Sequence, residues 1–186
     1  MSIKTNKKDF NSIIDDILNN DEFRSLDEDI HHGTTKYLHC MRVAYVTYHI
    51  SKILGLNYTE ATRGALLHDF FLGEREATGD NSYLNHPVTS VKNAKKHFKI
   101  SKHEEDIIRT HMFHHIFIKK ILRFINPKEK AKVFASRPKS MEGWIVCGTD
   151  MFVSLYEWLR FKAGFRIAYS LNTLLLFSFF FMTTAK

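Results

Sequence analysis

A histidine and an aspartate stand side by side at the end of an apolar run, Ala65-Leu66-Leu67-His68-Asp69-Phe70. Imidazole and carboxylate together suit a borderline-to-hard divalent cation such as iron, manganese or zinc. Adjacent helix positions are roughly 100° apart, so the pair can serve one ion only where the helix end lies against it. In a chain with 11 histidines such a dipeptide also arises by chance. Its meaning depends on whether further ligands are placed around it.

The elements that must position the pair are legible on either side. Phe10, Ile13, Ile14, Ile17 and Leu18 recur at helical spacing and predict an amphipathic helix over residues 9–18. An acidic turn, Asp27-Glu28-Asp29, leads to Ile30-His31-His32-Gly33, after which Thr34 or Thr35 can cap a helix. That helix spans about Lys36 to Leu54. Its stripe is Val43, Val46, Ile50 and Ile53, and a step of four back from Val43 reaches His39. A third helix, capped by Asn57 or Thr59, runs from Glu60 to about Asp69 and carries the His-Asp pair. Gly64 lowers its helix propensity by about 1 kcal/mol relative to Ala, a choice that a close helix crossing explains.

Residues 72–85 read as a polar loop over the site. Pro87 suits the first turn of a helix with Val88, Val91, Ala94 and Phe98 as its buried stripe, leaving His86 just before it. Ser101 and Glu104 form a capping box for a helix through Ile107, Ile108 and the inward His111. His114 and His115 follow, then a short helix and a variable basic loop from Ile116 to Lys139. Ser140 caps a long helix, Met141 to about Lys162. On it Trp144, Cys147, Met151, Ser154 and Trp158 make one side, with Val146, Asp150 and Val153 beside them.

An unpaired carboxylate buried in an apolar helix costs several kcal/mol, so Asp150 needs a partner, and a metal is a natural one. The inward polar residues are then His39, His68, Asp69, His86, His111 and Asp150, from five successive helical elements separated by 17 to 39 residues. Four imidazoles and two carboxylates can bind two divalent ions, with Asp69 bridging, between the helices of an all-α bundle. Unrelated burial of all six is the costlier account. No Ser-His-Asp or Cys-His arrangement and no Gly-rich phosphate loop competes with this chemistry.

The order H…HD…H…H…D on helices resembles the HD-domain superfamily of metal-dependent phosphohydrolases. The resemblance covers roughly residues 30–160 and is carried by HHGTTKYLHCMRVAYVTYHISKILGLNY, EATRGALLHDFFL, NHPVTSVKNAKKHF, EEDIIRTHMF and the segment from Trp144 to Asp150. The wording is close to a bacterial, clostridial-type subgroup. The resemblance implies an all-α, HD-domain-like bundle with His39, His68, Asp69 and Asp150 as primary metal ligands, and His86 and His111 completing a second position. It implies Asp69 and Arg42 as catalytic, with Arg42 and, more weakly, Arg63 as substrate-binding. One or two ions of Fe, Mn, Mg or Zn would activate water for attack on phosphorus. The sequence departs from relatives in two places. Leu38 stands where an acidic residue usually precedes the first histidine, which weakens support of that ligand. His114-His115-Ile116 replaces a Pro-Leu-Thr turn, which alters the pocket wall.

Length and composition bound the rest. A chain of 186 residues is one domain's worth, and the division expected is an N-terminal helix over 1–30, a metal-binding helical domain over 31–162 and an apolar segment over 163–186. Cys40 and Cys147 fall in apolar patterns, and the polar start MSIKTNKKDF shows no leader, so they read as reduced core thiols of a cytoplasmic protein. Charge is uneven: Met1 to Ile30 carry 4 basic and 8 acidic residues (4 − 8 = −4), and Lys92 to Lys139 carry 14 and 4 (14 − 4 = +10). Ile167 to Ala185 hold no charge over 19 positions, which fits a helix docked on the bundle or a membrane anchor.

The favoured expectation is a hydrolase of a small phosphate ester, nucleotides included. The alternative is a non-catalytic binding or sensing module whose basic segment 119–139 contacts a partner or nucleic acid, the latter not favoured. Oligomeric state is not legible.

Overall fold

The computed structural model describes residues 3–31, 34–71, 82–113 and 136–184. Helix α1 (Ile3–Leu18) and the short α2 (Asp21–Arg24) pass through a 3-10 turn, Ser25–Asp27, into a two-residue ribbon. In that ribbon β1 (Ile30–His31) pairs antiparallel with β2 (Thr34–Thr35). Then come α3 (Lys36–Ile53), α4 (Tyr58–Leu67), α5 (Ser82–His97), α6 (Lys102–Thr110) and α7 (Met141–Thr184). The architecture is all-α, as the sequence predicts, and α2, the 3-10 turn and the ribbon are additions to that reading.

Local chemistry starts these helices where the sequence places the signals. Thr35 accepts from Leu38 N, Asn57 from Glu60 N, and Ser101 with Glu104 completes a reciprocal capping box. Ser140 Oγ accepts from Gly143 N at 3.2 Å. Each such cap satisfies a donor that would otherwise be orphaned at a helix start and stabilises by about 1 kcal/mol.

The core draws on Phe10, Ile14 and Ile17 of α1, Phe23 of α2, Val43 and Tyr48 of α3, Leu66 and Leu67 of α4, Ile107 and Ile108 of α6, and Val146 and Val153 of α7. Burial of a side chain of this size is worth about 1.5–3 kcal/mol, so the N-terminal helix is part of one core rather than an appendage. Gly64 sits at the crossing of α4 and α6, where an added Cβ would lie 2.7 Å from Ile107 Cγ2. That is the close approach for which glycine is needed. Cys40 and Cys147 are buried, and neither is in a disulfide.

Four expectations need correction. Helix α5 begins at Ser82, so Pro87 lies on its sixth residue rather than its first turn, and His86 is on the helix. The same start shortens the expected loop, whose residues 72–81, like 114–135, lie outside the described residues. The inward face of α3 is His39, Cys40, Val43, Ala44, Thr47, Tyr48 and Ser51, while Ile53 is exposed. On α7 the buried side chains are Glu142, Val146, Cys147, Thr149, Asp150, Val153 and Glu157, so Cys147 of the expected side is inward while Trp144, Met151 and Trp158 face out. The apolar stripes misled because hydrophobic side chains on these helices exceed what one face can hold. Helix α7 also runs on without a break to Thr184, so the apolar C-terminal segment continues it rather than forming a separate docked helix. Among the described residues, no helix is long and apolar enough to cross a membrane.

Candidate metal centre

Two helices end at the site, and they end alike. His68 is the residue that closes α4 and His111 the residue that closes α6. In each, ring Nδ1 donates to the carbonyl three residues back: His68 to Ala65 O and His111 to Ile108 O, both at 2.7 Å. Carbonyls in the last turn have no helical partner, so a ring N–H is a ready donor for them. The consequence is chemical. With Nδ1 carrying the hydrogen, each ring in its neutral form turns its Nε2 lone pair into the interior, although Asp69 beside His111 raises the pKa of that ring against its burial. Both helix C-termini also present the negative end of their dipole to the same place, which favours a cation there.

Helices α3 and α7 supply the other side. His39 Nε2 lies 3.2 Å from Asp150 Oδ1, and its Nδ1 lies 2.9 Å from Glu157 Oε2. The other Glu157 oxygen accepts from Arg42 Nη1, which also donates to Thr34 Oγ1 at 3.0 Å. Ser154 Oγ donates to Asp150 Oδ1 at 3.4 Å. A carboxylate on the far nitrogen of an imidazole fixes its tautomer and ring orientation, the usual support for a metal-binding histidine.

Between the two halves, Asp69 Oδ1 is 3.0 Å from His86 Nε2 and 3.5 Å from His111 Nε2, without a well-directed hydrogen bond to either. His86 and His111 bring their Nε2 atoms within 2.9 Å of each other. Phe71 stacks on the His86 ring at 4.9 Å, and the buried Lys36 ammonium sits 3.6 Å over the Phe71 ring centre. His68 Nε2 is 3.7 Å from both Asp69 Oδ2 and Asp150 Oδ1 and has no hydrogen-bond partner.

These residues fit a divalent metal. Two orphaned buried atoms, His68 Nε2 and Asp69 Oδ1, are a lone-pair nitrogen and a carboxylate oxygen, both of which a cation satisfies. The ligand atoms of His39, His68 and Asp150 lie within 4.8 Å of one another, and so do those of His68, Asp69 and His111. Ligands about 2.0–2.2 Å from one ion stand roughly 3–4 Å apart, so this spacing is that of a coordination shell. The two triplets share His68, where the sequence reading expected Asp69 to bridge.

The electrostatics agree. Burial works against a charged His39, yet its hydrogen bonds to Asp150 and Glu157 outweigh that and raise its pKa to about 10. Burial lowers His68 to about 4, so it stays neutral and keeps its lone pair. Asp69 and Asp150 are held well below the usual carboxylate range. Burial opposes this, but His68 acts most strongly on Asp69 and His39 on Asp150. A pocket that holds a proton so firmly on His39 is one in which positive charge is stabilised, and a metal ion can take over that role.

All six ligand candidates therefore meet in one place. Two further residues come out differently from expectation. Arg63 is engaged away from the cluster: it bonds Glu104 Oε1 at 2.9 Å, Ile13 O at 3.0 Å and the Asp16 carboxylate, clasping α1, α4 and α6. Its role as a substrate residue is thus corrected to a structural one. Glu157 was missed. Its signal was available, since it stands seven residues after Asp150 and so on the same helix face, but flanking aromatics hid it. It supplies to His39 the carboxylate that Leu38 cannot.

A family model described as the HD domain matches residues 37–150, more than half of the chain and all six ligand candidates. Glu157 lies beyond the matched residues. No curated protein and no solved structure matches. With this match and an all-α bundle that closes around H…HD…H…H…D, the chain belongs to the HD-domain family of metal-dependent phosphohydrolases.

Proposed function

We propose that this protein is a cytoplasmic metal-dependent phosphohydrolase acting on a small phosphate ester, nucleotides included. The observation that carries the reading is the pair of orphaned buried atoms, His68 Nε2 and Asp69 Oδ1, in a ring of converging imidazoles. His39, His68, Asp69, Asp150 and His111 would hold one or two divalent ions, with His86 beside them. Once bound, such ions act as Lewis acids and lower the pKa of water.

The chain's own residues orient and protect that chemistry. His39 is pinned by Glu157, and Glu157 by Arg42, so the first ligand cannot rotate without breaking two charge-assisted contacts. Phe71, stacked on His86, shields the ring from water. Asp69 has the greatest side-chain exposure among the six ligand candidates, 13% against 9% for Asp150 and less for the histidines, so substrate approaches on its side. The Arg42 side chain is 36% exposed, and its guanidinium is suited to a phosphoryl oxygen while one nitrogen remains on Glu157. That engagement of Arg42 is also the observation favouring the second reading, a sensing module in which the metal site is kept and the arginine is structural.

The test is metal content together with turnover of a phosphate-ester panel, for the wild type and Asp69→Ala. Bound metal with turnover that the substitution abolishes supports the hydrolase. Bound metal without turnover on any ester supports the sensing module. Full turnover in Asp69→Ala refutes both assignments of Asp69.

A further inference from the structure

Helix α7 leaves the bundle. Its last buried residue among the described ones is Glu157, and every residue of described burial after it, Trp158 to Gly164, is exposed. The helix nevertheless continues to Thr184, about 40 Å further at 1.5 Å per residue. The surface it presents is not polar. Phe152, Leu155, Tyr156, Trp158, Leu159 and Phe161 are between 45% and 63% exposed. At about 100° per residue these six span roughly 220° of the helix circumference, the remaining arc being the row of Val153 and Glu157 that faces the bundle. An apolar helix surface of this extent does not stay bare in water.

The width of the arc argues against a single partner helix, which takes a stripe of about 100°. A fluid apolar phase covers a wide arc without needing a matched surface. The charges point to the same occupant. From Trp158 to Lys186 the chain has Arg160, Lys162, Arg166 and Lys186 and no acidic residue. Arg160 donates to the Tyr156 hydroxyl at 3.1 Å, and Lys162 lies 5.3 Å over the Trp158 ring. Aromatic rings with a polar edge and cations on long stems are the chemistry of the lipid headgroup layer. Ile167 to Thr184 extend the same helix with no charge.

We propose that the exposed apolar face of α7, from Phe152 to Phe161, docks on an anionic phospholipid surface, with Arg160 and Lys162 at the headgroups. The helix lies along the interface rather than across the bilayer. The metal pocket, on the opposite row of the same helix, then faces away from the lipid.

The experiment is flotation of the full-length protein with vesicles of phosphatidylcholine alone and of phosphatidylcholine with phosphatidylserine. Metal content serves as the measure of an intact fold. The expected result is flotation with the anionic vesicles, weakened by salt and much reduced with phosphatidylcholine. The triple variant Phe152→Ser, Leu155→Ser, Leu159→Ser stays in the soluble fraction. Should that variant lose metal, the surface variant Arg160→Glu, Lys162→Glu still decides. At about 1 kcal/mol per basic residue near the surface, loss of the two cations alone lowers partitioning roughly 30-fold, and the added carboxylates lower it further. Three results overturn the proposal: no flotation of the wild type with either vesicle, equal flotation with both, or undiminished flotation of the triple variant. A dimer that the triple variant abolishes, without lipid binding, assigns the face to a second copy of the chain and overturns it as well.

Discussion

Glu157→Gln removes one negative charge at the point where two cationic groups meet. In the folded protein one Glu157 oxygen faces His39 Nδ1 at 2.9 Å and the other faces Arg42 Nη1. Glutamine has nearly the same volume but only one carbonyl oxygen. Whichever way it turns, its amide NH2 meets a donor, so one of the two contacts is lost and the other is no longer charge-assisted. The Glu157 side chain is only 3% exposed, so water does not replace the missing acceptor. His39 then loses the partner that sets its tautomer and basicity. Loss of such support lowers metal affinity by about 10–100-fold, or roughly 1.4–2.8 kcal/mol. Competition against a chromophoric chelator, with manganese or zinc as the titrant, reads the dissociation constant directly. Thermal unfolding of the metal-free variant separates this from general damage. A dissociation constant unchanged within about twofold, in a variant that remains folded, would show that Glu157 does not support His39 and that the ligand is oriented by Asp150 alone.

Other consequences can be measured. Metal stabilises the native state only, so at a free concentration 100 times its dissociation constant it adds about 2.7 kcal/mol, and chelation should lower the melting temperature accordingly. Because His39 is held protonated up to about pH 10 in the metal-free protein, metal uptake at neutral pH should release a proton. Calorimetry in buffers of different ionisation enthalpy checks this, and a buffer-independent heat refutes it. Arg63→Met leaves the 5%-exposed Glu104 without its cation and should cost about 3–5 kcal/mol in chemical denaturation while metal affinity is unchanged. The Arg63 guanidinium holds the Asp16 carboxyl below its usual 3.8, so that part of the stability is present above pH 3.8 and is lost as pH falls through the folded value. In Arg63→Met the acid limb of the stability curve should flatten. Gly64→Ala places a methyl 2.7 Å from Ile107 Cγ2 and should destabilise by about 1–3 kcal/mol, visible as a lower melting temperature.

Much of this protein follows from local sequence. Capping residues Thr35, Asn57, Ser101 and Ser140 start their helices because a side-chain oxygen one turn from a free N–H needs no tertiary help. The spacing of His39, His68, Asp69, His86, His111 and Asp150 marked them as a set because each would be costly to bury alone. What local sequence could not determine is which arc of a helix turns inward when apolar residues crowd its surface. On α7 the burial row runs through Val153 and Glu157, and Trp158 faces out, because α3 and its His39 approach from that side. Arg63 was equally undecidable: a cation five residues before a ligand histidine can face substrate or structure, and only the packing of α1 against α4 and α6 gives it Asp16 and Glu104. Glu157 became a supporting residue for the same reason. A carboxylate acquires that role from the donor placed opposite it, and the fold brings His39 there from 118 residues away.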